Sequence, residues 1–175
     1  MNVFLLLCCL MVFPFFTKAQ WTNIGPGGNA LSGISFRTAT DGWVCGANGT
    51  LLRTADGGAT WATEPAFRSP SGGTRTRLLA VTTPSRYNVV VLGQQPSATQ
   101  PTVVYRSLNS GYGFDNVFSD YGDYTFLSSR TDRLSLLVGY GGALASSLAQ
   151  GDTWQVLTSG TQNDLLGANS PDGNV

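Results

Sequence analysis

Short apolar stretches recur at regular intervals along this chain. Residues 34–36, 79–81 and 124–126 form short alternating segments, and this pattern predicts β-strands that bury one face. Each is followed by an apolar run that closes on a glycine, at Gly46, Gly93 and Gly139. Since these glycines lie 47 and 46 residues apart, the pattern indicates a repeated unit.

An eight-residue motif follows each of these glycines. Its positions read hydroxyl, any residue, acid or amide, any residue, glycine, any residue, small residue or threonine, and aromatic. The three copies contain Thr54, Asp56, Gly58, Thr60 and Trp61; Ser107, Asn109, Gly111 and Phe114; and Ser147, Gly151, Thr153 and Trp154. Ala149 replaces the acid or amide in the third copy. We predict a turn in which the acid or amide bonds the backbone and the glycine adopts a conformation that β-branched residues avoid.

These anchors predict an all-β fold made of β-propeller blades with four antiparallel strands each. The predicted blades cover approximately residues 30–70, 76–118 and 123–160, and a fourth starts at 164–175. Blades stack because a single blade cannot bury both faces of its sheet, and the motif aromatic is expected to fill the gap between neighbouring sheets. Closed propellers have about four to eight blades. We therefore expect an incomplete propeller, either a fragment or an arc that assembles into an oligomeric ring.

The three motifs resemble Asp-box (BNR) repeats. The longer segment from Ile34 to Trp61 resembles the photosystem II stability/assembly factor type of Asp-box propeller, and the resemblance covers about residues 21–175. It implies that the boxes are structural and not catalytic, and that the chain is a scaffold for a protein partner or a membrane-protein complex. Asp-box propellers also include sialidases, so a sialidase-like glycoside hydrolase or a glycan-binding fragment is the alternative.

The hydrolase alternative needs chemistry that this chain supplies poorly. Glycoside hydrolysis usually uses a pair of carboxylates, and sialidases use a tyrosine, a glutamate and an arginine cluster. The chain has one glutamate, Glu64, in a loop, so we expect no catalytic residues. A glycan-binding module would instead use exposed aromatic rings, and the candidates are Tyr112, Tyr121 and Tyr124.

The N-terminus has the pattern of an export signal. An apolar run at residues 3–16 is too short for a comfortable membrane span, and Thr17 and Ala19 are small residues at the −3 and −1 positions of a cleavage site. We predict a signal peptide over residues 1–19, with an uncleaved anchor as the alternative. The mature chain is then secreted or extracytoplasmic (periplasm, lumen or extracellular), with no stable membrane span. Cys45 would be its only cysteine, which leaves no internal disulfide.

Composition excludes several classes of function. The 175 residues contain ten Lys and Arg, ten Asp and Glu, and no His. A net charge of zero argues against a nucleic-acid partner. The absence of His removes His-based catalytic triads and His-containing zinc sites, and we predict no metal and no cofactor.

Three polar residues remain as candidate sites. Arg53 and Arg106 each directly precede the hydroxyl of a box, so they occupy equivalent positions and are candidates for gripping an acidic partner. The alternative is that both are solvated strand residues. Asn48 begins a glycosylation sequon, although the Asn-Gly pair is also a hairpin turn signal.

Overall fold

The computed structural model describes residues 28–65, 76–96, 101–131, 133–148 and 150–169. In these ranges the chain forms three four-stranded antiparallel sheets, in which each strand pairs with its neighbour in sequence. Sheet I contains β1 (Leu31–Phe36), β2 (Gly42–Gly46), β3 (Thr50–Thr54) and β4 (Ala62–Thr63). Sheet II contains β5 (Arg77–Thr82), β6 (Val89–Gln94), β7 (Thr102–Ser107) and β8 (Asp115–Asp120). Sheet III contains β9 (Tyr124–Thr131), β10 (Leu134–Gly139), β11 (Ala143–Ser147) and β12 (Gln155–Thr158).

This architecture confirms the all-β prediction of propeller blades with four antiparallel strands. The predicted alternating segments lie in the first strand of each sheet, and the glycine-closed runs form the second. Short 3-10 turns at Ala47–Gly49 and Tyr140–Gly142 join the second and third strands of sheets I and III. The predicted signal peptide, residues 1–19, lies outside the described residues, as do Ala149 and residues 170–175.

Two apolar clusters join the three sheets. Between sheets I and II the buried side chains are Trp43, Cys45, Leu51, Leu78, Val81, Val89 and Val91. Between sheets II and III they are Val90, Leu92, Val104, Tyr124, Leu127, Leu137 and Ala145. Because successive side chains on a strand point to opposite faces, β6 sends Val89 and Val91 to one neighbour and Val90 and Leu92 to the other. A sheet buried on both faces explains why its second strand is apolar throughout.

Two of the box aromatics bridge neighbouring sheets. Phe114 of sheet II meets Trp43 of sheet I edge-on, with ring centroids 6.5 Å apart. Trp154 of sheet III meets Phe118 of sheet II at 5.8 Å. Trp61 instead contacts Phe36 of its own sheet at 6.3 Å. The expected filling of an inter-sheet gap therefore applies to Phe114 and Trp154 but, within the described residues, not to Trp61.

The buried thiol of Cys45 lies in the cluster between sheets I and II. Burial raises its pKa to about 11, against weaker opposing effects of hydrogen bonds with Ser32 and the Gly33 backbone. The thiol therefore stays protonated near neutral pH and is a poor nucleophile.

After β12 the chain turns back along sheet III. The Leu165 backbone N–H donates to the Gly139 carbonyl oxygen at 2.9 Å, and the Gly141 N–H donates to Asp164 Oδ1 at 3.0 Å, which holds residues 164–165 beside that sheet. Residues 164–169 of the predicted fourth blade have no assigned strand. No helix among the described residues is long and apolar enough to cross a membrane.

Candidate functional site

The first box is a turn organised by two side chains. The Thr54 hydroxyl accepts a hydrogen bond from the Gly58 N–H and donates to Asp56 Oδ1, both at 2.8 Å. Asp56 in turn accepts from the Thr60 N–H at 2.8 Å and from the Thr60 hydroxyl at 2.6 Å. The Thr60 hydroxyl, the Thr60 backbone and then Thr54 lower the Asp56 pKa to about 2, because these bonds favour the ionised carboxylate.

The second box repeats this arrangement with a neutral amide. Ser107 Oγ accepts from the Gly111 N–H at 2.9 Å and donates to Asn109 Oδ1 at 2.7 Å. Asn109 Oδ1 also accepts from the Gly113 N–H at 3.0 Å. Gly58 and Gly111 have φ values of +93° and +94°, so the box glycines occupy a region that L side chains rarely adopt.

The third box differs from the other two. Its buried Ser147 hydroxyl has no hydrogen-bond partner within the part of the chain that the structure describes, and Ala149 occupies the sequence position of Asp56 and Asn109. The Trp154 indole N–H donates to the Gly151 carbonyl at 3.0 Å. Thr153 is exposed. This box therefore keeps the glycine and the aromatic without the side-chain network.

A cleft of about 370 Å³ lies beside the first and second boxes, where sheet I meets sheet II. We call it the arginine cleft, and its lining residues are Arg37, Asp41, Arg53, Ala55, Arg86, Tyr87, Ser110 and Tyr112. The lining comes from the β1–β2 and β5–β6 loops, from β3 and from the two boxes. The cleft is therefore a product of the docking of the two sheets.

Asp41 holds two of the three arginines. Arg37 forms an ion pair with one carboxylate oxygen of Asp41, and Arg53 Nε lies 3.3 Å from the other. The Arg53 guanidinium also lies over the Trp43 ring at 5.4 Å. The third arginine, Arg86, lies over the Tyr87 ring at 5.6 Å. Three guanidinium groups and one carboxylate give the cleft an excess of positive charge.

No family model matches the chain, and no curated protein matches it. Among solved structures, the chain is similar to YCF48. The YCF48 structure bound to D1 peptide has a TM-score of 0.62 and 20% identity, covering 76% of this chain and 41% of that chain. YCF48 from Cyanidioschyzon merolae has a TM-score of 0.57 and 25% identity, covering 75% and 38%.

A third solved structure matches more distantly. The PQQ-bound aldose sugar dehydrogenase from Streptomyces coelicolor has a TM-score of 0.43 and 17% identity, covering 77% of this chain and 46% of that chain. The chain thus spans less than half the length of each of these three structures. The similarity to YCF48 supports the propeller fold.

The two arginines predicted from the sequence have equivalent positions in the sheets. Arg53 pairs with Trp43 across β2 and β3, and Arg106 pairs with Val90 across β6 and β7. Each reaches the box of the next sheet. An Arg53 guanidinium N–H donates to the Ser110 carbonyl at 3.3 Å, and Arg106 forms an ion pair with Asp152 at 2.8 Å.

These contacts place the two arginines in different surroundings. Arg53 lines the arginine cleft as well as joining the sheets. Arg106 is largely buried at the second junction, with 12% of its side chain exposed, and it does not line the cleft. Sequence reasoning interpreted Arg37 as the end of a strand and missed Arg86 and Tyr87, since these residues lie in inter-strand loops without a repeated motif.

The remaining candidates lie apart from the cleft or at its rim. Partial burial raises the Glu64 pKa and the charge of Arg53 opposes this effect, but Glu64 does not line the cleft. Tyr112 lines the cleft and is 84% exposed, whereas Tyr121 is exposed away from it. Tyr124 is 2% exposed and donates to Asp120, so its ring is not available to stack on a sugar.

Asn48 lies at an exposed turn between β2 and β3. Its φ is +58°, and its side-chain N–H donates to Asn29 Oδ1 at 3.0 Å. The Thr50 hydroxyl donates to the Ala47 carbonyl at 2.6 Å. Among the described residues, no group of three or more Cys, Asp or Glu side chains is placed to hold a metal ion.

Proposed function

We propose that this chain is a non-catalytic β-propeller binding module that takes up a protein partner in the arginine cleft. The observation that carries the proposal is the meeting of Arg37, Arg53 and Arg86 in one cleft between two sheets. A guanidinium group is planar, remains charged and matches the geometry of a carboxylate. A peptide segment with acidic side chains or a terminal carboxylate is the ligand chemistry that this cleft fits best.

The charge balance of the cleft supports an acidic ligand. Asp41 contributes one negative charge and is engaged by Arg37 and Arg53. A second carboxylate from a partner would meet the remaining positive charge, with Arg86 at the rim. Tyr87 and Tyr112 are 57% and 84% exposed beside it, and such rings supply contact area at low entropic cost.

Similarity to YCF48 adds an independent reason to propose a protein partner. One of the matched structures is YCF48 bound to D1 peptide. The resemblance of the boxes to the photosystem II stability/assembly factor type leads us to propose a scaffold role toward a membrane-protein complex. We also propose that removal of residues 1–19 delivers the mature chain to an extracytoplasmic compartment, with Asn48 open to glycosylation in a eukaryotic secretory pathway.

Replacing Arg86 tests the arginine cleft as the binding site. The probe is a fluorescein-labelled nine-residue peptide with three aspartates and a terminal carboxylate, compared with its asparagine and C-terminal amide counterpart. We expect Arg86→Ala to weaken binding of the acidic peptide about 10- to 150-fold, since a lost charged hydrogen bond costs about 1.5–3 kcal/mol. Fluorescence anisotropy measures the affinities.

Arg77→Ala is the matched control, because Arg77 is an exposed arginine of β5 that does not line the cleft. Higher salt should weaken binding in the wild-type chain. Equal affinity for the acidic and neutral peptides, or an equal loss with both variants, would refute the proposed site.

A glycan is the second candidate ligand for the same cleft, and the exposed ring of Tyr112 favours it. Sugars stack on exposed aromatic faces, so glycan-array binding that disappears with Tyr112→Ala and persists with Tyr121→Ala would support this candidate. The cleft lining contains a single carboxylate, Asp41, so it does not supply the carboxylate pair of most glycoside hydrolases.

A further inference from the structure

The carboxylate of Asp41 is held in place between two arginines of the arginine cleft. Arg37 forms an ion pair with one of its oxygens, and Arg53 Nε lies 3.3 Å from the other. The backbone of the same loop is also fixed. The Asp41 carbonyl accepts from the Arg37 N–H at 3.0 Å, and the Asp41 N–H donates to the Thr38 hydroxyl at 3.0 Å. The Asp41 side chain is only 15% exposed.

Arg53 is committed to contacts within the protein. Besides the bond from Nε to Asp41, one guanidinium N–H donates to the Ser110 carbonyl at 3.3 Å, and the group lies over the Trp43 ring. A carboxylate binds an arginine best through two parallel N–H donors. Because Asp41 engages Nε, a ligand carboxylate cannot use that edge of the Arg53 guanidinium without displacing Asp41.

In sheet II, Asn88 occupies the position that Asp41 has in sheet I. Each residue directly precedes the second strand of its sheet, and the third strands place Arg53 and Arg106 at equivalent positions. The Asn88 amide is neutral and donates to the Gln150 carbonyl at 3.0 Å. Sheet II therefore does not supply a carboxylate from this position to its own arginine.

At the second junction, the carboxylate comes from the neighbouring sheet instead. Arg106 forms its ion pair with Asp152 at 2.8 Å. Asp152 directly follows the glycine of its box, and Tyr112 has the same place in the second box. Arg106 thus receives an acid from outside its own sheet, whereas Arg53 receives one from inside. Asp41 takes the role that an incoming acid has at the second junction.

Arg86 is the arginine of the cleft that forms no ion pair with the described residues. It is exposed, and its guanidinium lies over the Tyr87 ring at 5.6 Å. Its backbone carbonyl accepts from the Ser110 hydroxyl at 3.2 Å, which ties the loop to the second box. The loop is therefore anchored, and the charge of Arg86 faces solvent at the cleft.

We propose that Asp41 is the specificity-determining residue of the arginine cleft, because it acts as a built-in anion on Arg37 and Arg53. The carboxylate of a ligand is thereby directed to Arg86. The inference rests on the proposed binding of an acidic peptide. The wild-type cleft then takes one ligand carboxylate, and removal of the Asp41 charge opens a second position on Arg37 and Arg53.

Peptides with one or two aspartates test this assignment. Fluorescein-labelled nine-residue peptides amidated at the C-terminus carry either one aspartate or a second one placed one, two or three positions away. In the wild-type chain the second aspartate should change the affinity less than about threefold, since an exposed ion pair contributes little. In Asp41→Asn it should tighten binding about tenfold or more at one of the spacings, since it gains charged hydrogen bonds. Fluorescence anisotropy measures the affinities.

Asp123→Asn is the matched control, because it removes an exposed carboxylate that does not line the cleft. Asp123→Asn should behave like the wild-type chain, which separates a local effect from a change in net charge. Asp41→Ser is a second neutral variant at the same position, with the same expected gain as Asp41→Asn.

Arg86→Ala in both backgrounds completes the test. It should remove most binding of the one-aspartate peptide by the wild-type chain but much less in Asp41→Asn, where Arg37 and Arg53 can accept the carboxylate. Equal losses in the two backgrounds, or no gain from a second aspartate in either Asp41 variant, would overturn the inference while binding of acidic peptides remains. A wild-type chain that does not prefer the aspartate peptide over its asparagine counterpart would refute the proposed function, and the inference with it.

Discussion

In the first box one carboxylate organises most of the turn. Asp56 is exposed, yet it accepts hydrogen bonds from Thr54 and from both the backbone and the side chain of Thr60. In the second box, Asn109 Oδ1 accepts the equivalent hydrogen bonds from the Ser107 hydroxyl and the Gly113 N–H. The two boxes therefore reach the same backbone conformation, one with a charged side chain and the other with a neutral one. A fall in pH should weaken only the first box, because Asp56 can be protonated and Asn109 cannot.

Asp56→Asn is expected to remove an acid-sensitive part of the stability. The folded pKa of about 2 lies below the ordinary value of 3.8. The carboxylate therefore stabilises the fold above pH 3.8, and this contribution is lost as the pH falls toward about 2. The melting temperature of the wild-type chain should fall more steeply across that window than that of Asp56→Asn. Asp115→Asn, which removes another exposed carboxylate, serves as the control, and parallel curves for wild type and Asp56→Asn would contradict the prediction.

Gln150→Gly is expected to stabilise the protein. Gln150 has a φ of +54°, and the equivalent box position in the first copy is Gly57, with a φ of +76°. A non-glycine residue in the left-handed region costs the folded state about 1–2 kcal/mol, and glycine removes this cost. Glycine also loses more conformational entropy on folding, which offsets about 0.5–1 kcal/mol of the gain. Urea unfolding should thus reveal a gain of about 0.5–1 kcal/mol. The matched control Gln155→Gly, in β12, should lower stability, and a loss in both variants would refute the assignment of strain to Gln150.

At the scale of elements, neighbouring sheets are joined by apolar packing and by one repeated polar contact. An arginine on the third strand reaches the box of the following sheet, from Arg53 to Ser110 and from Arg106 to Asp152. Sheet III has Ser146 at the equivalent position. The arginine therefore helps to fix the position of one sheet against the next at the two junctions that the structure describes.

Arg106→Met and Arg106→Ala separate the charge of this contact from its packing. Met keeps an apolar stem, and its loss of the ion pair with the half-exposed Asp152 should cost about 1 kcal/mol or less. Ala also removes the stem that lies beside Gly151, so its cost should be larger, about 2 kcal/mol. Urea unfolding measures both. A cost for Asp152→Asn similar to that for Arg106→Met would support the pair, whereas equal costs for Met and Ala would exclude a packing role.

The strands and the boxes could be predicted from the sequence because their determinants are local. The spacing of Gly46, Gly93 and Gly139 and the hydroxyl–acid–glycine pattern each act within a few residues. The arginine cleft could not be predicted, since Arg37 and Arg86 lie in loops of different sheets and meet only after docking. The contact of Trp61 with Phe36 could not be predicted either, because these residues are far apart in sequence and meet only when sheet I forms.

At the scale of the molecule, the three sheets form a series in which each buries one face of the next. The chain covers 41% and 38% of the two YCF48 structures that it resembles. At sheet I the side chains of Ile34 and Phe36 are exposed, and at sheet III the segment around Leu165 lies beside Gly139. The proposed binding cleft lies at a junction between two sheets, so it depends on the integrity of both sheets and not on a single blade.

The position of Cys45 makes that dependence observable. Its thiol lies between sheets I and II, next to the junction that forms the arginine cleft, and its pKa is raised to about 11. Because the thiol is fully buried, a thiol reagent reaches it only when the packing around it opens. The rate at which Cys45 is modified therefore reports how often the packing at this junction opens. A ligand that bridges the cleft would lower this rate.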